Sequence, residues 1–153
     1  LPVLVDTSPC LYRMKKVLDQ RLTLLDPVEF TLTHLMERLQ VIPVNETVAY
    51  HHTCSSSKMG LEAKALTLAR ACAAEVVVPD HVGCCGFAGD RGFNYPELNA
   101  SALQHLRAGV AGKCSAGYST SRTCEIGLSA HSGIHYKSIL YLVDRCTRPK
   151  AAS

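Results

Sequence analysis

Glu75-Val76-Val77-Val78-Pro79 is the stretch on which the fold turns. A run of valines predicts a strand over Glu75–Val78 buried on both faces, as strands of parallel sheets are. Pro79 has no N–H to give to a ladder and ends it. Immediately beyond comes Val82-Gly83-Cys84-Cys85-Gly86-Phe87-Ala88-Gly89-Asp90-Arg91-Gly92, with glycine at every third position from Gly83 to Gly92. Glycine permits positive φ and close approach of backbone to a ligand, and successive N–H groups make an anion-binding concavity. Two thiolates beside such a concavity point to a metal or metal–sulfide site. The plainer alternative is a tight turn carrying two buried thiols.

Outward from this stretch the chain alternates strand and helix. Pro2–Asp6 is a short β-branched run, followed across a Thr7-Ser8-Pro9 turn by Cys10 and a weak helical pattern through Leu11, Met14, Val17 and Leu18. A second helix starts with Asp26 as N-cap, Pro27 at the first helical position and Glu29 completing a capping box. Its apolar stripe is Val28, Leu32, Leu35, Met36 and Leu39. Thr47–His51 reads as a strand, then a polar turn containing Cys54, then a helix over Lys58–Ala73. After the glycine-rich loop, Pro96 opens a helix with Leu98, Ala102, Leu103 and Leu106 on one face. Gly117–Thr120 is a fourth strand with Cys124 just beyond it. Ser132–Cys146 is the last helix.

Strands this far apart cannot pair as hairpins, so the order predicts an α/β fold: about four mainly parallel strands with helices on both faces. In such sheets ligands bind outside the carboxyl ends of the strands. Cys10, Cys54, Cys84, Cys85 and Cys124 each follow a strand, so five of the eight cysteines fall at that edge. Cys72 and Cys146 occupy core-facing helical positions and read as packing, and Cys114 lies in a Gly/Lys/Ser loop.

The 153 residues suit one domain over 1–146 with a frayed tail at 147–153. The chain opens directly on a strand-like Leu1-Pro2-Val3 without methionine, which reads as a C-terminal piece of a larger protein. A net charge of +3, no basic run and no tryptophan exclude a nucleic-acid platform. No stretch has the apolar length of a membrane span. Eight cysteines suffice for a disulfide scaffold, but the helical and strand periodicities make a core without staples, so a reduced, cytoplasmic chain with ligand cysteines is expected.

Thiolates from Cys54, Cys84, Cys85 and Cys124 supply the four-cysteine ligation of an iron–sulfur cluster. With 29 residues between Cys54 and Cys84 and 37 between Gly86 and Cys124, the spacing matches neither ferredoxins nor zinc knuckles. Adjacent cysteines fit neighbouring irons of a cluster better than one tetrahedral zinc. A structural zinc module that organises a partner interface is the alternative. Gly86 and Gly89 bring N–H groups to the site, Lys58, Arg91 and Arg122 are placed to offset its charge, and His51 and His52 to hydrogen-bond near it. Thiol catalysis would need His51, His52 or His81 as base to Cys54 or Cys84, with no carboxylate evident to orient it.

Cys54…Cys84-Cys85-Gly86…Cys124 resembles the CCG cysteine-rich domain found in heterodisulfide reductase and in the iron–sulfur parts of glycolate and D-lactate oxidising enzymes. Asp6-Thr7-Ser8-Pro9-Cys10, Cys54 through Gly60, Gly83 through Phe93 with Tyr95-Pro96-Glu97-Leu98, and Ser121-Arg122-Thr123-Cys124 through Leu128 are similar to the C-terminal region of FAD-linked D-lactate dehydrogenase-type proteins. The resemblance implies a 4Fe-4S electron-transfer domain. Its partners would be an FAD domain oxidising a 2-hydroxy acid and an acceptor such as a quinone or cytochrome, and its place cytoplasmic or peripheral to the inner membrane. The family motif commonly ends in Cys-x-x-Cys, whereas Ser121 stands here for the first of that pair. Cys10 is the candidate fifth ligand.

Overall fold

The computed structural model describes residues 1–80 and 82–150. Its centre is a four-stranded sheet built from β4 (Val44–Tyr50), β5 (Ala73–Val77), β6 (Ala116–Ser119) and β7 (Tyr136–Ser138). The order across the sheet is β5-β4-β6-β7, and every neighbouring pair is parallel. Before it come β1 (Val3–Leu4), α1 (Ser8–Val17), β2 (Leu24–Leu25), α2 (Pro27–Phe30), a π turn at Thr31–Leu35, a 3-10 turn at Met36–Arg38 and β3 (Leu39–Val41). Between β4 and β5 run α3 (Cys54–Lys58) and α4 (Glu62–Cys72); between β5 and β6, α5 (Arg91–Asn94), α6 (Pro96–Ala102) and α7 (Leu106–Val110). The helix α8 (Arg122–Ser132) joins β6 to β7, and α9 (Ile139–Cys146) and β8 (Thr147–Pro149) close the chain.

The strand order decides where the helices go. From β4 the chain steps one way to β5, then crosses back past β4 to β6 and on to β7. Right-handed crossovers therefore put α4 on one face and α7 and α8 on the other. Side-chain alternation along β4 agrees: Val48 and Tyr50 enter a core with Leu68 of α4 and Leu142 of α9, while Ala49 enters a second core with Leu106 of α7 and Leu128 of α8. The reversal point lies between β4 and β6, so the crevice is outside Tyr50 and Ser119.

Local signals explain several boundaries. Asp26 Oδ1 accepts the Val28 N–H at 2.7 Å, Thr53 Oγ1 accepts the Ser56 N–H at 3.1 Å, and Ser138 caps α9 through the Leu140 N–H. Gly60 (φ 69°) separates α3 from α4, and Gly133 (φ 79°) ends α8.

Several sequence expectations are corrected. The opening run is not a strand of the main sheet: β1 pairs only with β2, in a separate parallel ribbon. Cys10 therefore does not follow a strand of the sheet that carries the other cysteines. The fourth strand of that sheet is β7, hidden in what reads as one helix over Ser132–Cys146. The strand β5 is an edge strand with exposed Ala74 and Glu75, not one buried on both faces. Glu29 does not complete a capping box; its carboxylate pairs with Lys64 at 2.6 Å and Lys15 at 3.6 Å. Leu98 is exposed. The tail is not frayed from 147, because β8 pairs antiparallel with β3; residues 151–153 lie outside the described residues.

Candidate metal centre

Three loops leave the carboxyl edge of the sheet and bring four thiols into one ring. After β4, His51-His52-Thr53 leads to Cys54, the first residue of α3. After β6, Thr120-Ser121 leads to Cys124 in the first turn of α8. After β5 comes the loop with Cys84 and Cys85. Cys85 Sγ and Cys124 Sγ lie 2.9 Å apart. Cys84 neighbours both Cys85 and Cys54, and Cys54 is close enough to act electrostatically on Cys124. Cys54 and Cys84 form the exposed rim and Cys85 and Cys124 the buried floor; all eight cysteines are free thiols.

The loop is held by contacts that demand particular residues. Gly86 has φ 71°, and a Cβ there would stand 2.6 Å from the Leu98 carbonyl oxygen and 2.8 Å from Ala102 Cβ. Asn99 of α6, buried, donates from Nδ2 to the Cys85 carbonyl. Gly127 of α8 makes room for that amide, since a Cβ would strike Asn99 Nδ2 and Phe87. Phe87 lies beneath the loop, edge-on to Phe93 at 4.9 Å, with Gly92 packed on its ring. Ala88 takes φ 50°, which costs a non-glycine residue about 1–2 kcal/mol. From below, the buried His51 ring meets Ser119 Oγ at 3.5 Å and the backbone of Gly83.

A buried hydroxyl cluster fixes the Cys54 side. Ser8 Oγ is 2.7 Å from Thr53 Oγ1 and 2.9 Å from Ser55 Oγ, and Thr120 Oγ1 donates to Ser8 Oγ at 3.3 Å. The cluster ties the start of α1, the cap of α3 and the end of β6 together, so Cys54 and the entry to α8 share one rigid base.

Proximity splits the thiol acidities. The hydrogen bond from the Cys124 thiol lowers Cys85 to about 7, helped by the Phe87 N–H. Cys124, holding the shared proton and buried, is pushed well up. Burial raises Cys84, opposed by the Gly86 N–H 3.4 Å from its sulfur. The positive end of α8 favours the negative charge on Cys85.

The remaining candidates are scattered around this ring. Cys10 is exposed on α1, outside the four interacting thiols. Arg122 is turned to the Glu125 carboxylate at 3.4 Å, and Lys58 Nζ stands 5.7 Å from the centre of the Tyr12 ring. Arg91 begins α5, and Gly89 (φ 74°) turns the loop with open space around its Cα. His52 packs edge-on against Tyr50 at 4.9 Å; His51, not His52, reaches the loop. His81 lies outside the described residues. Asn99 and Gly127 are not legible as site residues, since a polar residue on an amphipathic helix reads as its solvent face.

The donor chemistry fits an anionic metal–thiolate group held by Cys54, Cys84, Cys85 and Cys124, with N–H donors at the rim and a helix N-terminus at the floor. Among the described residues no three His, Cys, Asp or Glu side chains are already arranged as a coordination shell for a single ion. Among the same residues no helix is long and apolar enough to cross a membrane. The chain matches no known family model and no curated protein.

Proposed function

We propose that this chain is an iron–sulfur electron-transfer domain of the CCG cysteine-rich type. It would work beside an FAD-bearing domain that oxidises a 2-hydroxy acid and pass electrons to an acceptor such as a quinone or cytochrome. The observation that carries the reading is the meeting of Cys54, Cys84, Cys85 and Cys124 from three separate loops, 2.9 Å apart at the closest pair. The motif resemblance around each of those cysteines supports the same assignment. A 4Fe-4S cluster bound there supplies one-electron chemistry. The chain's own residues bind and orient it: Asn99, Gly86 and Gly127 set the Cys84-Cys85 backbone, and the hydroxyl cluster sets Cys54.

Structural zinc is the second reading, and one distance favours it. At a Zn–S bond of about 2.3 Å the sulfurs of a tetrahedral site stand about 3.8 Å apart, so Cys85 and Cys124 need part by only about 1 Å. Anaerobic incubation with iron and sulfide, and separately with zinc, decides between them. Brown protein with iron and sulfide in equal amounts supports the first reading; colourless protein that takes one zinc and refuses iron supports the second.

A further inference from the structure

Cys72 and Cys146 have no part in the ring of thiols, and both are fully buried. We propose that they are a modification site: a thiol pair that oxidises to an intrachain disulfide joining α4 to α9. Cys72 is the last residue of α4 and Cys146 the last of α9, two helices packed in the same core. The strand register brings their backbones to the two flanks of one short segment. Val44 pairs with Ala73, next to Cys72, while the Ile42 N–H donates to the Cys146 carbonyl at 2.7 Å and Val41 pairs with Thr147. The Cys146 thiol donates to the Val143 carbonyl at 3.4 Å; burial raises the Cys72 thiol, and the neighbouring Cys146 thiol raises it further.

The other cysteines are poorly placed to compete. Cys72 leads into the amino end of β5, whereas the four-thiol ring lies beyond the carboxyl ends of the strands. The seven residues of β4 separate those edges by about 20 Å. Cys114 belongs to the core on the opposite face.

An oxidant gains access where the β3–β8 ribbon opens. Cys146 runs directly into β8, a three-residue strand in a two-stranded sheet with β3, and so short a pairing opens locally at low cost. A low-molecular-weight disulfide such as oxidised glutathione is the co-reactant. The Cys146 thiolate attacks one glutathione sulfur, breaking the S–S bond and releasing one glutathione thiolate. Cys72 loses its proton and attacks the Cys146 sulfur of the mixed disulfide, releasing the second glutathione. Two protein thiols are oxidised, one glutathione disulfide is reduced to two thiols, and the two protons end on them.

The test uses the full chain in glutathione buffers of increasing oxidised fraction, followed by acid quench, alkylation, proteolysis and mass mapping. The expected product is a peptide pair joined through Cys72 and Cys146. The bridged residues are 74 positions apart (146 − 72 = 74), and a loop of that size raises the melting temperature by about 10 °C. Dithiothreitol reverses both changes, and in Cys72→Ala the temperature rise is absent and Cys146 is trapped as its glutathione adduct. Recovery of Cys72 and Cys146 as alkylated free thiols under conditions that oxidise the ring overturns the proposal, as does their joining to other cysteines. The wild-type map reads the link directly, so it decides even where the variant does not fold.

Discussion

Gly86→Ala separates two ways in which a glycine can matter. Gly86 and Gly89 both have positive φ, at 71° and 74°, and alanine at either pays the left-handed penalty of about 1–2 kcal/mol. Only Gly86 is also enclosed: its added Cβ meets a backbone oxygen at 2.6 Å and Ala102 Cβ at 2.8 Å, whereas nothing lies within 4 Å at Gly89. The obstacle at Gly86 is largely α6 backbone, which cannot rotate away, so overpacking adds about 1–3 kcal/mol. Gly86→Ala is then expected to cost about 2–5 kcal/mol and Gly89→Ala about 1–2 kcal/mol. Because relief at Gly86 pushes the loop off α6, the first variant also displaces Cys84 and Cys85 and loses metal uptake, while the second keeps it. Urea unfolding of both chains, with metal content after reconstitution, makes the comparison. Equal destabilisation by the two substitutions, or full metal uptake by Gly86→Ala, would refute the argument that α6 clamps the loop.

Three further outcomes follow from the same geometry. Asn99→Ala removes the donor to the Cys85 carbonyl and is expected to cost about 1–3 kcal/mol, read as a lower urea midpoint with unchanged slope. Thr53→Ala removes both the cap of α3 and the hub of the hydroxyl cluster, for a loss of about 2–3 kcal/mol; Thr53→Ser, which keeps the oxygen, retains most of it in the same measurement. Burial lowers His51 from its usual 6.5 to about 4. Between those values the unfolded chain binds a proton that the folded chain refuses, so stability falls with falling pH across that window. Below about 4 both states are protonated and the loss is complete, at about 3 kcal/mol. His51→Gln should flatten the stability profile between pH 6.5 and 4 by that amount; an unchanged profile would mean that the ring is protonated in the fold.

The parallel sheet and the meeting of four cysteines are legible in the sequence because both rest on spacing. Strands too far apart for hairpins pair in parallel, and parallel strands point their following loops to one edge. The valine run at 76–78 supports the parallel sheet for a different reason than the structure supplies, since β5 is an edge strand. Short elements escape detection. The three residues of β7 carry too little alternation to stand out from the apolar pattern that runs on into α9, and β2 at two residues has none. Without β7 the sheet still counts four strands only if β1 is wrongly admitted; the start of α1 nevertheless lies at the site edge, because Ser8, two residues before Cys10, bonds Thr53 and Thr120. Asn99 and Gly127 act through contacts between elements distant in sequence, and nothing in their local pattern marks them.

The most direct measurement is thiol protection during anaerobic iron–sulfide reconstitution. Iron, sulfide and the EPR signal of the reduced protein are followed together with alkylation mapping of each cysteine. The expected result is a brown protein with equal iron and sulfide, in which Cys54, Cys84, Cys85 and Cys124 resist alkylation while Cys10 reacts, and in which Cys84→Ser or Cys85→Ser abolishes uptake. Iron that binds without cooperativity, with those four thiols no better protected than Cys10 and with either serine variant behaving as wild type, would contradict a four-cysteine cluster site.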